Sequence, residues 1–206
     1  TGSRPRTLAG LTIDSQTVLT SDDALRLKQL PSSMLIIGGG VIGVEWASML
    51  CDFDVEVTIL EYADRILPTE DEEISKAMTK ALKKKGIKIV TGAKVLPETL
   101  SVQDGLTISA EESGTNRDYR AEKMLVSVGR DANTDGIGLE NTDIEFSKGV
   151  IQVNEVYQTK ESHIYAIGDC IGGMQLAHVA SHEGIKAVEH MAGLKTEPIR
   201  YDWIPR

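Results

Sequence analysis

Apolar residues along this chain fall into short unbroken runs separated by stretches with helical periodicity. Met34-Leu35-Ile36-Ile37 is a continuous apolar run entering a glycine turn, the pattern of a parallel strand buried on both faces. Val41, Val44, Ala47 and Ser48 then recur on one side of a predicted helix, small enough to let it lie close to a sheet. Val55 to Leu60 predicts a second strand, ending at Glu61. Ile74, Ala77, Met78, Ala81 and Leu82 predict an amphipathic helix, with Thr69 and Glu72 spaced as a capping box. Lys83, Lys84 and Lys85 fall in its last turn, where cations oppose the macrodipole, and Gly86 is a natural stop. Ile87 to Val90 predicts a third strand.

From Lys94 to Tyr119 the pattern changes to short alternating segments broken by Asp104-Gly105 and Ser113-Gly114, both hairpin-turn signals. Met124 to Val128 returns as a buried strand and ends in Gly129-Arg130. This succession predicts an α/β fold over residues 12–132: a Rossmann-like, three-layer arrangement with a parallel sheet and a β-meander crossover. After residue 133, Val150 to Val153 and His163 to Ile167 read as strands. Leu176 to Met191 reads as a helix with Ala180, Gly184, Ala187, Val188 and Met191 on one face. These elements are too few to close a core, so 133–206 is expected to be an incomplete segment of a second α/β domain, poorly ordered or covered by a second copy.

Composition narrows the function. Forty-one per cent apolar residues suit a globular chain, and a net charge of -9 argues against a nucleic-acid surface. No apolar stretch approaches the roughly 18 residues that span a bilayer. Cys51 and Cys170 stand alone, a usage that suits a reducing cytosol and predicts no disulfide between them.

Gly38, Gly40 and Gly43 meet the G-x-G-x-x-G spacing between a predicted strand and helix. There the glycines serve a tight turn, the approach of a pyrophosphate and close helix packing, and the helix start offers amides to the anion. Glu61, at the end of the next strand, suits the ribose hydroxyls of NAD and would repel a 2′-phosphate; Arg65 is the only nearby cation. Glu45, read as lying in the first helical turn, is open between a dipole-favoured acid and a functional residue. Asp169 follows the predicted strand ending at Ile167-Gly168 and precedes a helix near Gln175, which would let its carboxylate accept from a sugar-like hydroxyl chain. His178 and His182 lie one helical turn apart without an evident third ligand, so a metal site is not expected.

Thr-Gly-Ser-Arg-Pro at 1–5, Ile-Gly-Gly-Gly-Val-Ile-Gly-Val-Glu at 37–45, Val-Ser-Val-Gly-Arg at 126–130, Ile-Tyr-Ala-Ile-Gly-Asp at 164–169 and Leu-Ala-His at 176–178 occur in the order seen in flavin disulfide reductases. The chain resembles that family along its whole length, and within it the enzymes acting on dihydrolipoamide carried by the lipoyl domain of 2-oxo acid dehydrogenase complexes, with bacterial branched-chain forms nearest. The resemblance implies an NAD site formed by Gly38, Gly39, Gly40, Val41, Ile42, Gly43, Val44, Glu45, Glu61, Val95 and Gly129. It implies an FAD site that includes Thr1, Gly2, Ser3, Asp169, Gln175, Leu176, Ala177 and His178, with residues 1–11 and 133–206 belonging to the FAD domain. In the family the residue matching Glu45 pairs with a lysine beside the flavin. The resemblance further implies a homodimer, expected in the cytoplasm from the cysteine usage, and a redox disulfide and acid-base pair that this sequence does not contain. The chain is therefore read as an inactive piece of a larger enzyme, with no catalytic residue, metal, nucleic-acid or membrane partner. The rivals are an NADPH-linked glutathione- or mercuric-type reductase and a non-catalytic NAD-binding module.

Overall fold

The computed structural model describes residues 1–103 and 105–205. The chain divides into two compact units, Pro5–Gly129 and Thr1–Arg4 with Arg130–Arg206. In chain order, after the short strand β1 (Ser3–Pro5), the larger unit contains β2 (Val18–Thr20), α1 (Ser21–Ala24), β3 (Ser33–Ile37), α2 (Val41–Asp52), β4 (Glu56–Leu60), α3 (Glu72–Lys85), β5 (Lys88–Val90), β6 (Ala93–Ser101), β7 (Leu106–Glu112), β8 (Thr115–Ala121) and β9 (Lys123–Val126).

Five of these strands form a parallel sheet in the order β2-β9-β3-β4-β5, and β6-β7-β8 form an antiparallel meander. The central run Met34–Ile37 is buried throughout, with its side chains alternating between two cores. Met34 and Ile36 join Val44, Ala47 and Leu50 of α2, while Leu35 and Ile37 join Leu106, Ile108 and Ala110 of β7. The period of two thus gives both strand faces a dry partner and makes helix, sheet and meander the three layers. Ser113 (φ 50°) and Gly114 (φ 82°) turn β7 into β8 in the left-handed conformations of a tight hairpin. The other expected turn includes Asp104, which lies outside the described residues.

Several expectations change. The edge strand β2 carried no sequence signal: its three residues are too few to show periodicity, and it is specified by parallel pairing with β9. Thr69 does not cap α3. Asp71 does, accepting the Glu73 amide at 2.8 Å, because the chain is still turning at Thr69. The apolar stripe of α3 faces outward as well. Ile74, Ala77, Met78 and Ala81 are exposed, and the inner edge is Ser75, Thr79 and Leu82. Ser75 can be buried because its hydroxyl donates to the Ile66 carbonyl at 2.6 Å. Gly86 ends the helix at φ 103°, and Lys85 reaches across to Asp52 at 2.6 Å. Val41, assigned to the inner side of α2, is exposed.

The smaller unit contains β10 (Arg130–Ala132), the hairpin β11 (Phe146–Ser147) with β12 (Val150–Ile151), and α4 (Ala177–Met191). Contrary to expectation it has a core of its own, in which Leu139, Ile144, Ile151, Ala166 and Cys170 pack with Val153, Ile164 and Ile171. His163 to Ile167 is not a strand. One antiparallel bridge, Gln158 to Tyr165, and local bonds such as Thr159 N–H to the Ile164 carbonyl occupy this backbone instead of a ladder. Likewise β12 stops at Ile151, before Gln152 and Val153. The inner side of α4 is Val179, Glu183 and Ala187, whereas Val188 and Met191 are exposed. The reason is chemical: Glu183 is turned inward by hydrogen bonds that an apolar pattern cannot register.

Candidate nucleotide-binding sites

In the larger unit, β3 ends at Gly38 with φ 105°, a conformation that L side chains rarely adopt, and a Cβ there would strike the Ser127 carbonyl group. A Cβ on Gly43 would run into the Gly38 carbonyl oxygen and stand 2.8 Å from Ser127 Oγ, so this glycine lets α2 pack on the turn. Gly40 differs: a Cβ there would meet nothing within 4 Å, which leaves the backbone open to an incoming group. Gly40 also caps α2 without a side-chain hydrogen bond, and no acid lies in the first turn. The first amides of α2, including those of Val41 and Ile42, therefore meet no competing side-chain cap, a setting suited to an anion.

The turn opens into a cleft of about 730 Å³. Its walls include Gly38, Gly40, Glu61, Val95 and Gly129, which sequence reasoning had singled out. They also include Pro68, Thr69, Lys94 and Ser127, none of which the sequence had assigned to a nucleotide site. Ser127 was legible in part through the Val-Ser-Val-Gly-Arg motif; its hydroxyl donates to the carbonyls of Ile37 and Gly38 at 3.1 and 3.2 Å and braces the turn.

Glu61 is no surface acid. It is 9% exposed, and its two oxygens accept from the Gly39 and Ala63 amides, each at 2.6 Å. Each oxygen retains a lone pair for a hydroxyl in the cleft. Gly43 and Val44 are buried beneath the helix start. Glu45 is the clear displacement: it lies in the second turn of α2, exposed, beside Ser48, Met49, Asp52 and Phe53, and it does not line the cleft. Nor does Arg65, whose guanidinium donates to the carbonyls of Pro68 and Glu70 at 3.2 and 3.5 Å.

In the smaller unit Asp169 sits in a 3-10 turn, Gly168–Ile171, rather than at a strand end. Its carboxylate accepts from the Ser3 hydroxyl, and that hydroxyl in turn accepts from Arg130 Nε at 2.6 Å. Gly2 is held at φ 71°, and its carbonyl accepts the Asn133 amide at 2.9 Å; Thr1 also meets Asn133 through its carbonyl. Leu176 caps α4 with no side-chain bond, leaving the amides of Ala177 and His178 at an open helix start, and Gln175 is exposed just before it. A second cavity, of about 390 Å³, is mainly apolar; Thr1 and Ile167 reach it but Asp169 and 175–178 do not. No cluster of metal-ligating side chains occurs among the described residues, His178 and His182 included, and both cysteines are free. No helix among them is long and apolar enough to cross a membrane.

These features define a mixed α/β protein with a Rossmann-like parallel sheet, a glycine turn and a buried acid at the end of the neighbouring strand. The sequence model of the pyridine nucleotide-disulphide oxidoreductases matches residues 1–184, and the chain belongs to that family. It is 65% identical over its whole length to a dihydrolipoyl dehydrogenase of Bacillus subtilis and 39% identical to the mitochondrial dihydrolipoyl dehydrogenase of Pisum sativum. It spans 44% and 41% of those proteins. Among solved structures, LpdA from Mycobacterium tuberculosis superposes with a TM-score of 0.86 at 28% identity, over 97% of this chain and 43% of that one. The HOCl-induced flavoprotein disulfide reductase RclA from Escherichia coli gives 0.84 at 28%, over 96% and 45%. Dihydrolipoyl dehydrogenases and flavoprotein disulfide reductases use FAD and NAD(H).

Proposed function

We propose that the chain supplies the NAD-binding domain (12–132) and part of the FAD-binding domain (1–11 and 133–206) of a dihydrolipoyl dehydrogenase. That enzyme oxidises dihydrolipoamide on a lipoyl domain to lipoamide and reduces NAD+ to NADH with release of a proton, working as a cytoplasmic homodimer within a 2-oxo acid dehydrogenase complex. The observation that carries the reading is the buried Glu61 carboxylate beside an uncapped helix start, in a chain 65% identical to one such enzyme.

Glu61 accepts from both adenosine ribose hydroxyls, and its charge disfavours a 2′-phosphate. The amides at the start of α2 receive the pyrophosphate, which comes close because Gly40 has no side chain. Val95 and Gly129 form the wall beyond it. In the smaller unit Asp169 accepts from hydroxyls of the flavin chain, Ser3 holds that carboxylate, and the open start of α4 takes the FAD phosphate. FAD supplies the two-electron chemistry when bound; the residues of this chain bind and orient.

Steady-state assay of the full-length protein tests the reading. Dihydrolipoamide should support reduction of NAD+ far better than of NADP+. Reduction of glutathione disulfide by NADPH, with no activity toward dihydrolipoamide, would move the protein to the NADPH-linked reductases.

A further inference from the structure

Glu183 is an acid that the proposed chemistry does not use, yet it is only 2% exposed. From the middle of α4 its Oε2 accepts the Gly168 amide at 2.7 Å, and its Oε1 accepts the Tyr201 hydroxyl at 2.7 Å. Tyr201 lies 3.0 Å, oxygen to oxygen, from the hydroxyl of Tyr157, itself buried. Burial, with Tyr157 and the Glu183 acceptor adding to it, pushes the Tyr201 hydroxyl well above its ordinary range, so it remains a donor.

The Gly168 amide begins the turn that carries Asp169, and Ile167 before it supplies no side-chain cap. Gly168 is held at φ 70°, and a Cβ there would stand 3.1 Å from Ala180; one on Gly184 would stand 3.1 Å from Ile167. Small residues one turn apart on α4 thus bring the helix close to the turn, near enough for Glu183 to cap it from another element. Without that acceptor a buried amide would be left unpaired at the residue preceding Asp169.

We propose that Glu183, braced by the Tyr201–Tyr157 hydroxyl pair, is the positioning residue that fixes the Gly168–Asp169 turn for FAD. The assignment rests on the flavin reading of Asp169. Glu183 would then govern FAD affinity without touching the cofactor.

The test is reconstitution of the flavin-stripped full-length protein, with flavin fluorescence giving the FAD Kd and NADH titration on the same samples checking the fold. Glu183→Met removes both acceptors at similar volume and should raise the FAD Kd about tenfold, or about 1.4 kcal/mol. Glu183→Gln keeps an acceptor for Gly168 and can donate to Tyr201, so it should recover affinity to within about threefold of wild type. NADH binding should be unchanged in both. If Asp169→Asn leaves the FAD Kd unaltered, the flavin reading of this turn is wrong and the Glu183 proposal falls with it. If Asp169→Asn weakens FAD while folded Glu183→Met does not, only the Glu183 assignment is overturned. Should Glu183→Met fail to fold, Tyr201→Phe decides: a rise of about threefold supports the proposal and no change overturns it.

Discussion

Oε2 of Glu61 accepts the backbone amide of Gly39 at 2.6 Å, across 22 residues of sequence. One buried carboxylate thus ties the end of β4 to the turn after β3, and the part of the cleft suited to a ribose is mechanically joined to the part suited to a pyrophosphate. Its other oxygen holds the Ala63 amide, which fixes the chain leaving the strand.

The glycines of that turn should separate stability from binding. Gly43→Ala places a methyl against the Gly38 carbonyl and Ser127, and should destabilise the protein by about 1–3 kcal/mol, as overpacking does. Gly40→Ala has free space and φ -71°, so it should cost only about 0.5–1 kcal/mol as a lost N-cap glycine. Its methyl should nevertheless weaken NADH about tenfold by standing where the pyrophosphate approaches. Thermal melts and NADH fluorescence titrations measure the two effects; a Gly40→Ala protein that binds NADH like wild type would put the pyrophosphate elsewhere.

How much of this was written in the sequence follows from the range of the forces involved. Met34–Ile37 and the glycines at 38 and 43 were legible because a strand buried on both faces and a tight strand-to-helix turn each impose a local residue pattern. The orientation of α3 was not. Ile74 and Met78 make the better apolar stripe, but Ser75 gains the Ile66 carbonyl and Thr79 the Ser75 carbonyl, so the polar edge turns inward. Glu183 failed in the same way, since its partners Gly168 and Tyr201 lie 15 and 18 residues away. His163–Ile167 has strand composition, yet its backbone is spent on the loop at Tyr157–Thr159.

Alkaline pH should weaken the meander. Partial burial of Tyr119, then its hydrogen bond to Glu112 and the charge there, push the hydroxyl from an ordinary 10.0 up to about 12. The fold favours the neutral phenol, so its contribution is complete below pH 10 and is lost as pH rises through about 12. The Tm difference between wild type and Tyr119→Phe should therefore be flat below pH 10 and shrink above it. A difference that widens with pH would contradict this assignment.

The chain expressed by itself should not oxidise dihydrolipoamide. Cys51 and Cys170 are single free thiols, each bonded to a backbone carbonyl, Lys85 and Ile167 respectively. Neither forms the disulfide such a reaction requires. Dihydrolipoamide-dependent NADH production by this chain, surviving replacement of both cysteines by serine, would show that the reaction enters by another route.

The cleft beside Glu61 is the proposed seat of NAD(H). Titration of the chain with NADH and NADPH, followed by nicotinamide fluorescence and repeated with Glu61→Ala, decides whether it is. NADH should bind more tightly than NADPH, and the variant should lose about 1–2 kcal/mol for NADH, the scale of hydrogen bonds to a charged group. Equal or tighter NADPH binding by wild type, or NADH affinity untouched by Glu61→Ala in a folded protein, would contradict that assignment.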